Sequence, residues 1–161
     1  MKTTLLLGLL LGTLGLIAQD DHHTAVDERG DHVMGFSHEK TTHHFRMYAD
    51  GGAIEVTANH SKDTGSRDQI RMHRSHIAVM FAAGNFHAPM LVHDQTPAGV
   101  PALQRLKADV TYRFAEIPDG GRVRIATKNK EALAAVHEFL KFQISDHNTG
   151  DIQDVTNETL K

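Results

Sequence analysis

At 161 residues the chain has the length of one domain, and the absence of cysteine means that domain must stand on its core, without disulfides or thiolate metal chemistry. The formal net charge is −3, aromatics are few and no basic block occurs, a balance that argues against nucleic-acid binding. Against that plain background stand 13 histidines.

The first element is a leader. Lys2 supplies a positive start, Leu5 to Ile17 form an uncharged run rich in Leu and Gly, and small Ala18 precedes the polar switch at Gln19, Asp20 and Asp21. This order predicts a cleavable signal peptide over residues 1–18 and a periplasmic or secreted protein. The apolar run is about 13 residues, short of the ~20 that span a bilayer. Without cysteine no lipid anchor can form. Removing the leader takes Lys2 and leaves a net charge of about −4. No second apolar or basic amphipathic segment predicts stable membrane association after cleavage.

Residues 19–33 carry charge and histidine with little apolar content and read as a flexible lead-in to a single α+β domain over 34–150. From Thr41 the pattern alternates. His43, Phe45 and Met47 share one parity, Ile54, Val56 and Ala58 another, with Asp50-Gly51-Gly52 as the turn between them, a β-hairpin signature. Asp63, Thr64 and Ser66 offer N-cap chemistry for a helix with the stripe Ile70, Ile77, Met80 and Phe81, on which His73 also falls. The proline-punctuated stretch from Phe86 to Pro101 reads as a loop.

The same design then recurs. Val110, Tyr112 and Phe114 alternate up to Asp119-Gly120-Gly121, Val123 and Ile125 follow, and a second helix from near Lys130 carries Leu133, Val136, Leu140 and Ile144. Aligning the two Asp-Gly-Gly turns places Phe45 on Phe114, Ile54 on Val123 and Val56 on Ile125. One ββα unit buries little by itself. Two sharing a core predict tandem ββα units forming a four-stranded antiparallel sheet with two helices on one face. Residues 151–161 read as a polar, fraying tail.

Placement sorts the histidines. His43 lies on the core parity of the first strand and His73 on the core stripe of the first helix, so two imidazoles could meet where helix and hairpin pack. His76 follows His73 at i+3, His44 takes the opposite face of the strand from His43, and His93 shares the Phe86–Pro101 stretch with His87 and Met90. Neutral imidazole ligates copper, zinc and nickel, and a mixed His/Met donor set without Cys favours copper. Each of these residues has an ordinary structural role available as well: a core histidine bonded to backbone, an exposed polar side chain, a packing methionine. His137 and His147, beside and just past the second helix, suit either a ligand or a helix-end cation.

No H-E-x-x-H, G-x-S-x-G, phosphate-binding G-x-x-x-x-G-K or G-x-G-x-x-G sequence is present. The segments Met34-Gly35-Phe36, Thr41-Thr42-His43-His44-Phe45, Asp50-Gly51-Gly52-Ala53-Ile54-Glu55-Val56 and Val136-His137-Glu138-Phe139-Leu140 resemble a family of small exported bacterial proteins. The likeness runs from about Met34 to Asp151. That family has no established activity, although some members carry an automatic label of aspartate carbamoyltransferase. The label implies two α/β domains and an S-T-R-T motif, and Thr64-Gly65-Ser66-Arg67 is no substitute for it. The resemblance implies a single exported domain in which His43 and His44 belong to a characteristic motif.

Three functional expectations follow. The first is a non-enzymatic His-rich protein binding a transition metal, copper before zinc or nickel, through His43 and His73 with His44, His76 or His93 completing the set. The second is a periplasmic binding module for a small ligand or protein partner without metal. The third is a metal- or His-dependent hydrolase, which needs an open coordination position and a general base at recognisable spacing.

Overall fold

The computed structural model describes residues 14–156. Most of the leader predicted at 1–18 and the last residues of the tail, 157–161, lie outside the described residues. The elements run α1 (Leu14–Met34), β1 (Thr41–Tyr48), β2 (Gly51–Ala58), α2 (Thr64–Ala82), α3 (His87–His93), α4 (Val100–Arg105), β3 (Val110–Ile117), β4 (Gly120–Thr127) and α5 (Lys130–Asp146). The protein is α+β, and the strands form one antiparallel sheet in the order β1-β2-β4-β3.

Each ββα unit is set by its own local chemistry. The hairpins close at Asp50 and Asp119, where Tyr48 pairs with Gly51 and Ile117 with Gly120. Asp63 caps α2 by accepting from the Ser66 backbone N–H at 3.0 Å and from its hydroxyl at 2.8 Å. Asn129 caps α5 through the N–H groups of Glu131 and Ala132. Each cap satisfies donors that a helix start otherwise leaves unpaired.

The two units meet at the β2–β4 pair, where Ile54 stands opposite Val123. These are the residues that the two Asp-Gly-Gly turns bring into correspondence, so an approximate two-fold axis passes through them. The turn glycines make the join possible. A Cβ on Gly51 would overlap the Ile125 carbonyl oxygen, and a Cβ on Gly120 would overlap that of Val56. Gly51 also holds φ of +148°, which L side chains rarely adopt.

Helices α2 and α5 cover the same sheet face, but each reaches beyond its own hairpin. α2 lies across β4 and β3 and α5 across β1, β2 and β4. Between helices and sheet sits the main core, with Phe45, Ile54, Ile77, Val123, Val136 and Phe139 among its buried members. On the opposite face, Glu55 is buried between Arg46 (3.1 Å) and Arg122 (2.5 Å), and Arg124 lies 5.0 Å over the Tyr48 ring.

Three segments differ from expectation. Residues 19–33, read as a flexible lead-in, belong to helix α1 instead. Val26, Gly30, Val33 and Met34 recur at helical spacing, Val26 is fully buried, and Arg29 donates to the Val92 carbonyl at 2.7 Å. A cut after Ala18 would leave Gln19–Met34 of this helix in place. The Phe86–Pro101 stretch holds two short helices, α3 and α4, because Pro89 and Pro101 fall in first turns, where a missing N–H costs nothing. The beginning of the tail docks along β1: Asp151 accepts from the Phe45 N–H at 2.9 Å, and Thr156 donates its N–H to the Met47 carbonyl at 2.9 Å.

Candidate functional site

Where α2 and α5 diverge over β1, the core opens into a cavity of about 50 Å³. His43 of β1 forms its floor, His73 and Arg74 of α2 one wall, and Gln143 of α5 with His147 just beyond it the other. α3 closes one side with Ala88, Val92 and His93, and α1 roofs it with Val33 and Met34. The rest of the lining is apolar.

The histidines are held ring against ring. His43 and His147 stack at 5.7 Å between centroids with planes 4° apart, and His93 meets His147 edge-on at 4.9 Å. Phe36 touches both predicted partners, stacked on His43 at 6.1 Å and edge-on to His73 at 5.6 Å. His93 has both nitrogens engaged: Nδ1 donates to Asp146 at 2.5 Å, and Nε2 lies 3.0 Å from the Gln143 amide oxygen. Asp146 also accepts from His22 of α1 at 2.9 Å, and this contact ties the roof to the end of α5.

Three polar atoms of this wall are buried without a partner among the described residues: His43 Nε2, Arg74 Nε and Gln143 Nε2. Native interiors leave few such groups, and each costs on the order of 1–3 kcal/mol. Arg74 is the most costly of them. It is 6% exposed, its stem packs over Gly121, where a Cβ would stand 3.4 Å from it, and its charged end reaches the Met34 sulfur at 3.6 Å. Among the described residues no carboxylate pairs with it.

The internal repeat shows how far these residues depart from plain core. With the caps Asp63 and Asn129 aligned, the buried positions of the two helices coincide: Ile70 with Val136, Arg74 with Leu140, Ile77 with Gln143, and Ala78 with Ile144. The same alignment sets Phe81 against His147. In the strands, His43 corresponds to Tyr112. Arg74 over Gly121 therefore stands where the other unit has Leu140 over Gly52. His73 likewise stands against Phe139, so at four positions one unit is apolar and the other polar, and all four polar members line one cavity, whereas Ser66, which stands against Ala132, gives its hydroxyl to the Asp63 cap. A locally broken core pattern that converges on a single void is a functional signature.

Electrostatics follow from burial and from Arg74. Burial lowers the pKa of His43 well below its ordinary value, with Arg74 adding to the effect. Burial, then Arg74, brings His73 down to about 3. Burial and then His93 bring His147 down to about 3, against the opposing pull of Asp146. Burial alone lowers Arg74 to about 10, still cationic at neutral pH. Burial works to raise Asp146, but the hydrogen bonds from His22 and His93 prevail and hold it below the usual carboxylate range. At pH 7 His43, His73 and His147 thus stand as neutral imidazoles around a buried guanidinium.

Of the residues predicted as ligands, His43, His73 and His93 line this cavity. His44 lies on the opposite face of the sheet, where Nδ1 donates to Asp151 at 2.8 Å, and His76 is exposed on α2. Among the described residues, no group of three or more His, Cys, Asp or Glu side chains is placed to hold a metal ion. His137 is structural: its Nε2 donates to the Tyr48 carbonyl at 2.9 Å and the Gly51 carbonyl at 3.0 Å. The sequence reading did not pick out Arg74 or Gln143 and left His147 open; comparison of the two helices position by position carries the signal for all three.

Among the described residues, no hydroxyl or thiol lines the cavity. The arrangement can bind. Neither a protein-family model, nor a curated protein, nor a solved structure matches the chain.

Proposed function

We propose that the protein is an exported small-ligand-binding domain whose ligand occupies the cavity between β1, α2, α5 and the cover formed by α1 and α3. The observation that carries this reading is that His43, Arg74 and Gln143, each with a buried side-chain nitrogen that has no partner among the described residues, line one void. Ordered water would satisfy the neutral groups, and about 50 Å³ has room for several water molecules. Water does not supply the countercharge that a buried guanidinium lacks. The leader at 1–18 and the likeness to small exported proteins support placing this binding outside the cytoplasm.

The test is a fragment screen by thermal shift on the protein and on its Ala88→Phe variant, which fills the cavity from α3. Ligands that stabilise the parent and lose their effect in a still-folded Ala88→Phe protein support the reading. A screen in which no response depends on Ala88→Phe removes it.

Metal binding, copper first, is the second reading, and one observation favours it. His43, His73 and His147 are neutral at pH 7, the form that ligates, and line one cavity. Arg74 counts against it, because a guanidinium repels a cation through the same low-dielectric space in which it attracts an anion. Titration of metal-free protein with Cu(II), Cu(I) and Zn(II), alongside the His43→Ala/His73→Ala double variant, separates the two. Stoichiometric binding lost in the double variant establishes the metal site. Affinity unchanged by the double variant removes it.

A further inference from the structure

We propose that the ligand of this cavity is a short aliphatic carboxylate, its head held by Arg74, His43 and Gln143 and its chain lying among Ile77, Val92 and Phe139. This rests on the ligand-binding reading and names the ligand's chemistry.

Charge comes first. Arg74 is a buried cation with no acidic partner among the described residues, so the missing group is an anion. Asp146, the carboxylate bonded to His93 of the lining, is also engaged by His22. Donor geometry comes second. A carboxylate is acceptor-only, and Arg74 Nε–H and the Gln143 amide nitrogen are donors with nothing to donate to. His43 joins them in the tautomer that carries its proton on Nε2. Gln143 presents nitrogen to the cavity with its oxygen accepting from His93 Nε2–H, an arrangement that requires a proton on both His93 nitrogens because Nδ1 donates to Asp146.

Size and polarity complete the argument. About 50 Å³ corresponds to roughly three to five water-sized positions, the bulk of a carboxylate bearing one or two carbons. Beside these polar groups the lining is aliphatic and aromatic, with Ile77, Val92 and Phe139 among its members. That mixture suits an anionic head with an apolar tail. It does not suit a polyol or a fully hydrated oxyanion.

The other unit of the repeat supplies the controls. Arg74→Leu installs the residue that stands over the glycine in the second unit, and Gln143→Ile installs the apolar residue of the first. Isothermal titration and thermal shift with propionate should show saturable binding. Propionamide, its neutral isostere, should bind at least about tenfold more weakly, because hydrogen bonds to a charged group are the stronger ones. Nitrate has the planar head without the chain and should also fall about tenfold short, the worth of two buried carbons. Arg74→Leu should abolish propionate binding while melting at or above the parent temperature without ligand, since it removes a buried unpaired charge. Should Arg74→Leu fail to fold, Gln143→Ile gives the same reading with a loss of about tenfold in affinity.

Propionamide or nitrate matching propionate, or Arg74→Leu retaining the response, overturns the carboxylate assignment. Neutral or cationic ligands that act through the cavity and are lost in Ala88→Phe would sink this proposal and leave the ligand-binding reading standing. No cavity-dependent ligand of any class would sink both.

Discussion

Acidification from about pH 7 to about pH 5 should destabilise the domain by several kcal/mol, through three buried imidazoles. His43, His73 and His147 have their pKa values lowered in the folded state, the latter two to about 3. In the unfolded chain each returns to about 6.5. Their contribution is therefore fully present above about pH 6.5 and is lost as the pH falls toward the folded values, because the unfolded state takes up protons that the folded state refuses. Each such histidine costs about 1.4 kcal/mol per pH unit below 6.5, or about 2 kcal/mol at pH 5. His73 and His147 together give about 4 kcal/mol, and His43 adds in the same direction. A loss of about 3–6 kcal/mol is the expected range, a large part of the ~5–15 kcal/mol that a domain possesses. Asp146 and Asp151 have lowered pKa values, so what they contribute is lost only below about pH 4, outside this window. Urea denaturation at several pH values from about 7.5 to about 5 measures the slope. His147→Phe, which copies Phe81 of the first unit, should flatten that slope by about a third. Stability that is level or rising between about pH 7 and pH 5 would refute the reasoning.

The join between the units makes its own prediction. Gly51→Ala and Gly120→Ala each drive a methyl into a backbone carbonyl of the neighbouring unit, so each should cost at least about 3 kcal/mol by urea denaturation. Gly65→Ala meets only the Asp63 carboxylate oxygen, at 3.6 Å, and should be neutral or slightly stabilising. His137→Leu removes the donor shared by the Tyr48 and Gly51 carbonyls, with an expected loss of about 1–3 kcal/mol. Arg29→Ala frees the Val92 carbonyl and should raise amide exchange along α1 while the sheet is unaffected.

What the sequence makes legible is whatever periodicity and turn chemistry encode locally. Alternation places His43, Phe45 and Ile54 on the core face, the two Asp-Gly-Gly turns mark both hairpins, and Asp63 and Lys130 bracket the helix starts. Helix α1 escapes notice because its buried stripe contains a single fully buried side chain, Val26, amid charge, and because Gly30 reads as a breaker. In the structure Gly30 is buried within α1, where a Cβ would stand 3.1 Å from the end of the Met34 side chain and 4.0 Å from Val92. α3 and α4 escape because proline reads as punctuation even when it sits in a first turn. The site is half legible. Inward parity identifies His43 and His73, whereas Arg74 carries the residue type least expected inside and disappears into the polar face of α2. His44 and His76 look equally eligible in the sequence. Strand parity and helix phase put them outside, but a count of histidines gives them the same weight.

The polar wall also has consequences for the ligand-free protein. Arg74, Gln143 and His43 together leave several kcal/mol of unsatisfied desolvation in a core that Leu140, Ile77 and Tyr112 fill, at the corresponding positions, without such a charge. A single domain without disulfides has little margin for such a defect. The unliganded domain should therefore open first at the cover, where α1 and α3 meet the cavity and where the contacts from His22 and Arg29 are few and partly exposed. A ligand that satisfies the wall also closes the cover. At a hundredfold excess over its dissociation constant it adds about 2.7 kcal/mol. Binding should therefore slow amide exchange in α1 and α3 more than in β2 or β4. Uniform protection across the sheet with none in α1 would mean that the ligand binds elsewhere.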